Sequence, residues 1–437
     1  MKTLLAALLA AASCASIAQA QPGQSPQSTA PSETPTATQP LPTLSLDEAV
    51  SAAGGAAPAG ADATASVEAA QAARTVAGLR PNPVFQGQVE NVVGSGPYQG
   101  LRSAETTVGV AIPIELGGKR GARIGVADAQ LSRAQLQRAI VAADIRVQVT
   151  QLYIEAIAAE RRLVTARDQA RIAAEVLRGA GVRVQAGRAS PLEQQRADVA
   201  RINADAHVER LTRLAEAART NLARRLGRPI DGTLDADLLD RLPPATFGPT
   251  APVQTSGTLA LAAADADLAI ADAGIRLARA NRVPDLNVGP ALRRLEATND
   301  TAAVFAVSVP IPLFNNGRAA IAQATAERTR TEALRRVTAM DVEQAITDAQ
   351  AEAANAATTA RTAVGPALAA ASEAARIARI GYREGKFGQL DLLDAERTLA
   401  ETRVAAIDAL ANYQNARARL ERLTAPAPTI TTGGTDR

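Results

Sequence analysis

The sequence uses one phrase twice, as "IPIELGGKR" at residues 112–120 and as "VPIPLFNNGR" at residues 309–318. Each copy reads as the end of an alternating strand, a proline, a glycine or asparagine bend, and a basic residue opening a very long helical stretch. A strand pair precedes each copy. In "VFQGQVEN" (84–91), Gln86, Gln88 and Glu90 share one face, with Phe85, Gly87 and Val89 on the other. In "TVGVAIPI" (107–114), Val108, Val110, Ile112 and Ile114 alternate with small residues. "LNVGPAL" (286–292) and "AVFAVSVPI" (303–311) also alternate, the latter with Phe305, Val307, Val309 and Ile311 opposite Ala306 and Ser308. Strands are expected near 84–93, 104–114, 285–295 and 302–312, turning at "GSGPYQG" (94–100) and "RRLEATNDT" (293–301). Each is near the length that crosses a bilayer at a tilt. Four cannot close a barrel, since spanning barrels need at least about eight strands. Other copies of the chain must satisfy the edges. The bend recurs because it twice turns a strand in lipid into a helix in water. Pro113, Pro310 and Pro312 mark ladder ends that no longer need a donor, while Gly117, Gly118 and Gly317 supply the turns.

The remainder reads as helix. Hydrophobic residues make up 47% of the 437, yet only 2% are aromatic, and alanine supplies much of the difference. Alanine lets helices approach closely, although each buried one adds little transfer energy. The first half opens at "LSLDEAV", where Ser45 suits a helix cap and Asp47 and Glu48 favour its positive end. Its long helix, about 118–185, would span about 100 Å, and Leu136, Ile140, Ala143, Val147, Thr150, Ile154 and Ile157 form a heptad seam along it. An equally uninterrupted helical region is expected after the second strand pair. Both regions break at related sequences, "VQAGRASPLEQQRAD" (184–198) and "YREGKFGQLDLLDAE" (382–396). Gly187, Leu192, Glu193 and Asp198 match Gly385, Leu390, Asp391 and Glu396 at one offset. Each half is therefore helix, strand pair, long helix, tight turn and returning helix. The halves cover 44–230 and 258–423, and 231–257 joins them.

Several chemistries are excluded. One histidine (His207) and one cysteine (Cys14) cannot build a Cys/His metal cluster or a thiol site. No glycine-rich loop ends in Lys-Ser or Lys-Thr, so nothing binds a nucleotide, and no cofactor or catalytic residue is expected. The 47 basic and 44 acidic residues are interspersed, which argues against a nucleic-acid partner. Residues 1–20 read as a signal peptide, with Lys2, an apolar run and Ala18-Gln19-Ala20 before the cut; a second reading has Cys14 lipidated. Residues 21–43 and 424–437 have the composition of a disordered lead and tail. No later stretch is apolar enough for a spanning helix.

The duplicated halves, the "RPNP" and "RVPDL" approaches to the strands and the "GxxxxLDLLDAE" turn resemble outer-membrane factors of the TolC type, over residues 44–423. "ENVVGSGPYQG" (90–100), "SAETT" (103–107) and "IPIELGGKRGAR" (112–123) narrow the resemblance to the CzcC-like subgroup of heavy-metal efflux partners. The resemblance implies a mainly α fold with a small β part. It also implies a homotrimer whose strands share one twelve-stranded barrel in outer-membrane lipid, continued by a periplasmic helical tunnel. Partners would be a periplasmic adaptor and an inner-membrane proton-driven pump of the resistance-nodulation-division class. Cargo would be cations such as cobalt, zinc or cadmium. The chain departs from relatives at "SAAGGAAPAGADATAS" (51–66), which interrupts the first helix; Ala57-Pro58 stands where relatives break at Asn-Pro.

Asp391 and Asp394 lie three apart on one helix face, and threefold copies would place six carboxylates at a constriction that favours cations. The resemblance puts them at the periplasmic entrance; a plainer reading makes them helix-start residues favoured by the macrodipole. Tyr382 matches a tyrosine that, in relatives, helps hold neighbouring hairpins shut. Phe387 stands where an arginine is expected, so a latch would use Lys386 or Arg383. Gly187, Arg188, Gly385 and Phe387 mark the hairpin tips where an adaptor would dock. Lys119, Arg120 and Arg318 would meet headgroups or water. Two other functions fit less of the sequence: a channel for drugs or secreted peptides, and a periplasmic coiled-coil adaptor or scaffold.

Overall fold

The structure is a computed structural model that describes residues 43–244 and 254–429. The expected signal peptide, Cys14, nearly all of the lead and the end of the tail lie outside the described residues. In chain order the elements are β1 (Thr43–Leu44), α1 (Leu46–Ala56), α2 (Pro58–Ala77), β2 (Val84–Glu90), β3 (Glu105–Ile114), α3 (Lys119–Gln185) and α4 (Pro191–Leu226). The connection β4 (Thr233–Leu234) and α5 (Asp237–Asp240) follows. Then come α6 (Leu259–Ala280), β5 (Leu286–Leu295), β6 (Asp300–Ser308), α7 (Arg318–Thr362), α8 (Leu368–Arg383) and α9 (Gln389–Leu423). The chain is mostly helical, with one plan used twice.

Local chemistry explains where the elements start and stop. Ser45 and Glu48 form a capping box on α1. The 51–66 stretch, expected as an interruption, is helical apart from Ala57, which is held extended because the residue before a proline avoids the helical region. Pro58 then opens α2 at its first position, where a missing N–H costs nothing. The fourth strand, expected to reach 312, ends at Ser308, because Pro310 and Pro312 cannot donate to a ladder. The second long helix, expected to be uninterrupted, contains a π-helical turn at Ala363–Ala367. Pro366 sits inside it; the missing N–H and the ring's clash with the preceding turn are relieved by widening the helix. Nor is the start of the expected tail loose. Leu259 N–H donates to the Ala425 carbonyl (3.2 Å) and Ala427 N–H to the Gly257 carbonyl (2.8 Å).

The main core lies midway along α3. Val149, Tyr153, Ile154 and Ile157 of α3 pack there with Ala49 and Ala53 of α1, Leu222 of α4, Leu239 of α5 and Leu410 of α9. The expected heptad seam is only part of the buried surface. Ile140, Ala143 and Val147 are half-buried, while Val149, Tyr153 and Ala156 off the seam are buried. The reason is that α3 touches α1, α2, α4, α5, α6 and α9, so its apolar surface faces several directions. Polar groups tie the core to the short connections. The Tyr153 hydroxyl donates to the Leu44 carbonyl and accepts from the Asp235 N–H (2.8 Å). The buried Gln414 amide donates to the carbonyls of Leu238 (2.8 Å) and Arg241 (3.0 Å).

Removing the Tyr153 hydroxyl takes away the partner of one half-buried donor and one half-buried acceptor. Tyr153→Phe should therefore lower unfolding free energy by about 1–3 kcal/mol, read as an earlier thermal transition of the purified protein; an unchanged transition would contradict the network's role.

Candidate functional site

Four antiparallel strands form one sheet in the order β2-β3-β5-β6, so the two halves meet at β3 and β5. Register decides what each face presents. Phe85 lies opposite Val110, Pro290 opposite Phe305, Val108 opposite both Gly87 and Leu292, and Val288 opposite both Ile112 and Val307. Opposed residues share a face, so one face is apolar from edge to edge, and its Phe85, Leu292 and Phe305 are exposed. The other face carries Gln86, Gln88, Glu90, Thr107, Asn287 and Arg293. There Glu90 and Glu105 stand directly opposite, a like-charge pair that Arg293 resolves. Its guanidinium reaches Glu105 at 2.9 Å, Thr107 at 3.0 Å and Glu90 at 3.4 Å, joining β2, β3 and β5. Sequence reading placed Arg293 in the connecting turn and missed this clamp; its parity with Asn287 on an alternating strand was the available signal. Among the described residues, β2 and β6 each pair on one side only.

The corners join sheet to helices. Gly117 and Gly118 both have φ 71°, and Gly317 has φ 76°, a region that side chains disfavour. Space forbids a side chain as well: a Cβ at Gly117 would sit 2.6 Å from Val283 Cβ, and one at Gly317 2.4 Å from Arg282 Cγ. Pro113 is within β3, opposite Asn287, whereas Pro310 and Pro312 follow β6. Asp285 pins the first corner by accepting from the Leu116 N–H (3.2 Å) and Lys119 Nζ (2.7 Å). Glu115 chelates Arg123, which also donates to the Ala77 and Leu79 carbonyls at the end of α2. Arg120 donates to the Gly78 carbonyl (2.6 Å). Lys119 and Arg120, expected to meet headgroups or water, both bond within the chain; Lys119 is largely covered, while Arg120 stays exposed.

The two hairpin tips are built alike. Arg188 N–H donates to the Arg183 carbonyl (2.8 Å) and Gly187 N–H to Val184 (2.9 Å); Lys386 N–H donates to Gly381 (2.8 Å) and Gly385 N–H to Tyr382 (3.1 Å). Both are Schellman turns, with Gly187 (φ 68°) and Gly385 (φ 74°) at the left-handed position. Phe387 covers Gly381, where a Cβ would lie 2.2 Å from its ring. Asp391 and Asp394 are both exposed just past the second tip. Each has a partner within its own helix end. Asp391 accepts from the Gly388 N–H (2.9 Å), and Asp394 pairs with Arg397 (2.7 Å). Lys386 pairs with Glu384 (2.9 Å), and Arg383 borders a cleft of about 550 Å³ between α3, α8 and α9. The cation that meets Tyr382 is neither of these: Arg183, from the first hairpin, lies 4.9 Å above its ring. The hairpins are further joined where the Gln389 side chain donates to the Glu193 carbonyl (3.0 Å). Glu396, buried at 3% exposure, takes a bidentate pair from Arg379 within the second hairpin. Sequence matching had aligned Glu396 with Asp198 without assigning it this bond.

No described helix is long and apolar enough to cross a membrane, and no described cluster of histidine, cysteine and carboxylate side chains could hold a metal ion. What remains is an amphipathic sheet, unpaired at both edges, mounted on long helical hairpins. The sequence matches the outer membrane efflux protein family over residues 50–228 and 256–425, one match per half. The chain belongs to that family. Among its relatives, the cobalt-zinc-cadmium resistance protein CzcC of Cupriavidus metallidurans is 31% identical, over 78% of this chain and 81% of its own length. The nickel and cobalt resistance protein CnrC of the same organism is 30% identical, over 64% and 67%. The outer membrane protein VceC of Vibrio cholerae shares the fold, with a TM-score of 0.69 at 17% identity over 87% of this chain and 96% of its own.

The first corner of this efflux protein should be acid-sensitive. Burial opposes charge on Asp285, but the Lys119 ammonium, the Leu116 amide and nearby Arg123 together hold its carboxyl below the ordinary 3.8. Arg123 holds Glu115 below 4.5 in the same way. Depressed folded values mean the stabilisation is complete above those ordinary values and is lost as pH falls through the lower folded ones. Asp285→Asn should lower the melting temperature at neutral pH and flatten its decline in acid. Parallel curves for the two proteins would remove Asp285 from the corner.

Proposed function

We propose that three copies of this chain form an outer-membrane channel, closing their sheets into one barrel and their helices into a periplasmic tunnel. The observation that carries this reading is the four-stranded sheet. Its apolar face needs lipid, its polar face needs water, and its two open edges need strands that one chain does not have. The polar face, with Gln86, Gln88 and the Arg293 clamp, would line the conduit. The channel is passive. It would take cargo from an inner-membrane pump of the resistance-nodulation-division class through a periplasmic adaptor docked near the tips at Gly187, Arg188, Gly385 and Phe387. The names of CzcC and CnrC support divalent heavy-metal cations as cargo. Asp391 and Asp394, with Tyr382, Arg383 and Lys386 beside them, would ring the periplasmic entrance. Arg183 on Tyr382 would hold the two hairpins of one chain together there.

Growth of a deletion strain on divalent metals and on hydrophobic drugs tests the cargo. Sensitivity to cobalt, zinc or cadmium is expected, and sensitivity to drugs alone would overturn the metal assignment. For the entrance, Asp391→Asn with Asp394→Asn keeps the Gly388 cap's acceptor while removing charge. In planar bilayers the double variant should show weaker cation preference than the parent; unchanged selectivity would take both residues out of the constriction.

A further inference from the structure

The two copies of the strand-to-helix corner have diverged in chemistry. At the first corner Glu115, Lys119 and Asp285 are consumed by ion pairs, and the Glu115 and Lys119 side chains are largely covered. The second corner has no such pairs among the described residues. Between Ser308 and Asn315 it reads Val309, Pro310, Ile311, Pro312, Leu313 and Phe314, six residues without a polar side chain. Their apolar members are bare: Ile311 is 77% exposed, Leu313 78% and Phe314 100%. We propose that this segment is a lipid wedge at the periplasmic boundary of the bilayer beside the end of β6, one per chain, its backbone at headgroup level and its Ile311, Leu313 and Phe314 side chains among the acyl chains. The inference rests on the proposed barrel and deepens it by naming what that corner contacts.

Three observations favour lipid over a protein neighbour. First, Val309 and Ile311 continue in sequence the apolar alternation of Phe305 and Val307 just past the end of β6. Second, Pro310 and Pro312 fall on the opposite parity, and with Ile311 between them they border a cleft shared with Pro113 and Pro284, which leaves Leu313 and Phe314 wholly outside it. Lacking N–H groups, they cannot extend a ladder to another chain. Third, the wedge ends abruptly in polar chemistry. Asn315 and Asn316 accept from the backbone N–H groups of Gly317 and Arg318, both at 3.2 Å, turning the chain into α7 within two residues. An apolar step meeting a polar turn at a helix start suits the boundary between acyl chains and headgroups.

The chain contains no tryptophan, so Phe314→Trp in the full protein supplies a single reporter. Reconstituted into phospholipid vesicles with brominated acyl chains, it should lose most of its emission to the bromolipid and little to aqueous acrylamide. Phe305→Trp, on the sheet itself, reports on the barrel separately. Quenching of Phe305→Trp by bromolipid with quenching of Phe314→Trp by acrylamide alone would place the corner in water and overturn the wedge while leaving the barrel. Shielding of Phe314→Trp from both quenchers would put a protein surface there and overturn it too. If neither tryptophan meets bromolipid, the barrel fails along with the wedge.

Discussion

A backbone N–H or C=O facing hydrocarbon must be paired, and that requirement governs this molecule. Helices satisfy it within one segment and barrels by closing on themselves. This sheet does neither alone, because β2 and β6 each have one neighbour. In the proposed channel, assembly is what pairs those edges, and lipid is what covers the apolar face of Phe85, Val108, Leu292 and Phe305.

The corners and the helices serve that sheet. Positive-φ glycines at 117, 118 and 317 let a strand leave the ladder and start a helix within a few residues. The ion pairs of Asp285 and Glu115 fix the first exit, and an apolar loop takes the second. Beyond them, alanine-rich packing lets α3 sit among six other helices, with Tyr153 and Gln414 tying the waist to its short connections. At the far end, two equivalent Schellman turns reverse the chain, and the hairpins touch through Arg183, Tyr382, Gln389 and Glu193.

Much of this was legible in the sequence. Period-two alternation showed the four strands and their faces, because a strand buried on one side by lipid repeats as plainly as one buried by protein. The duplicated tips were legible because glycine at the left-handed position is demanded by the turn itself. Other features depend on which distant elements meet. Nothing local says that Arg293 will bridge Glu90 and Glu105, or that Arg183 rather than Lys386 will find Tyr382; both follow from register and from helices adjoining across the repeat. The π-turn at Pro366 went unread because a lone proline in a long helical run signals a kink, and its form depends on packing. Asp391 was read for its charge, while its cap on Gly388 shows that one carboxylate also has a local duty.

Inter-chain disulfide formation between sheet edges is the most direct test. Gln86→Cys, Gln88→Cys or Glu90→Cys on β2 would each be combined with Ala306→Cys on β6, with the single-cysteine parents controlling for Cys14. After mild oxidation of membrane fractions, non-reducing electrophoresis should show, for at least one combination, a reducible species of three covalently joined chains. Single chains throughout, in protein that has reached the outer membrane, would contradict a wall shared among copies.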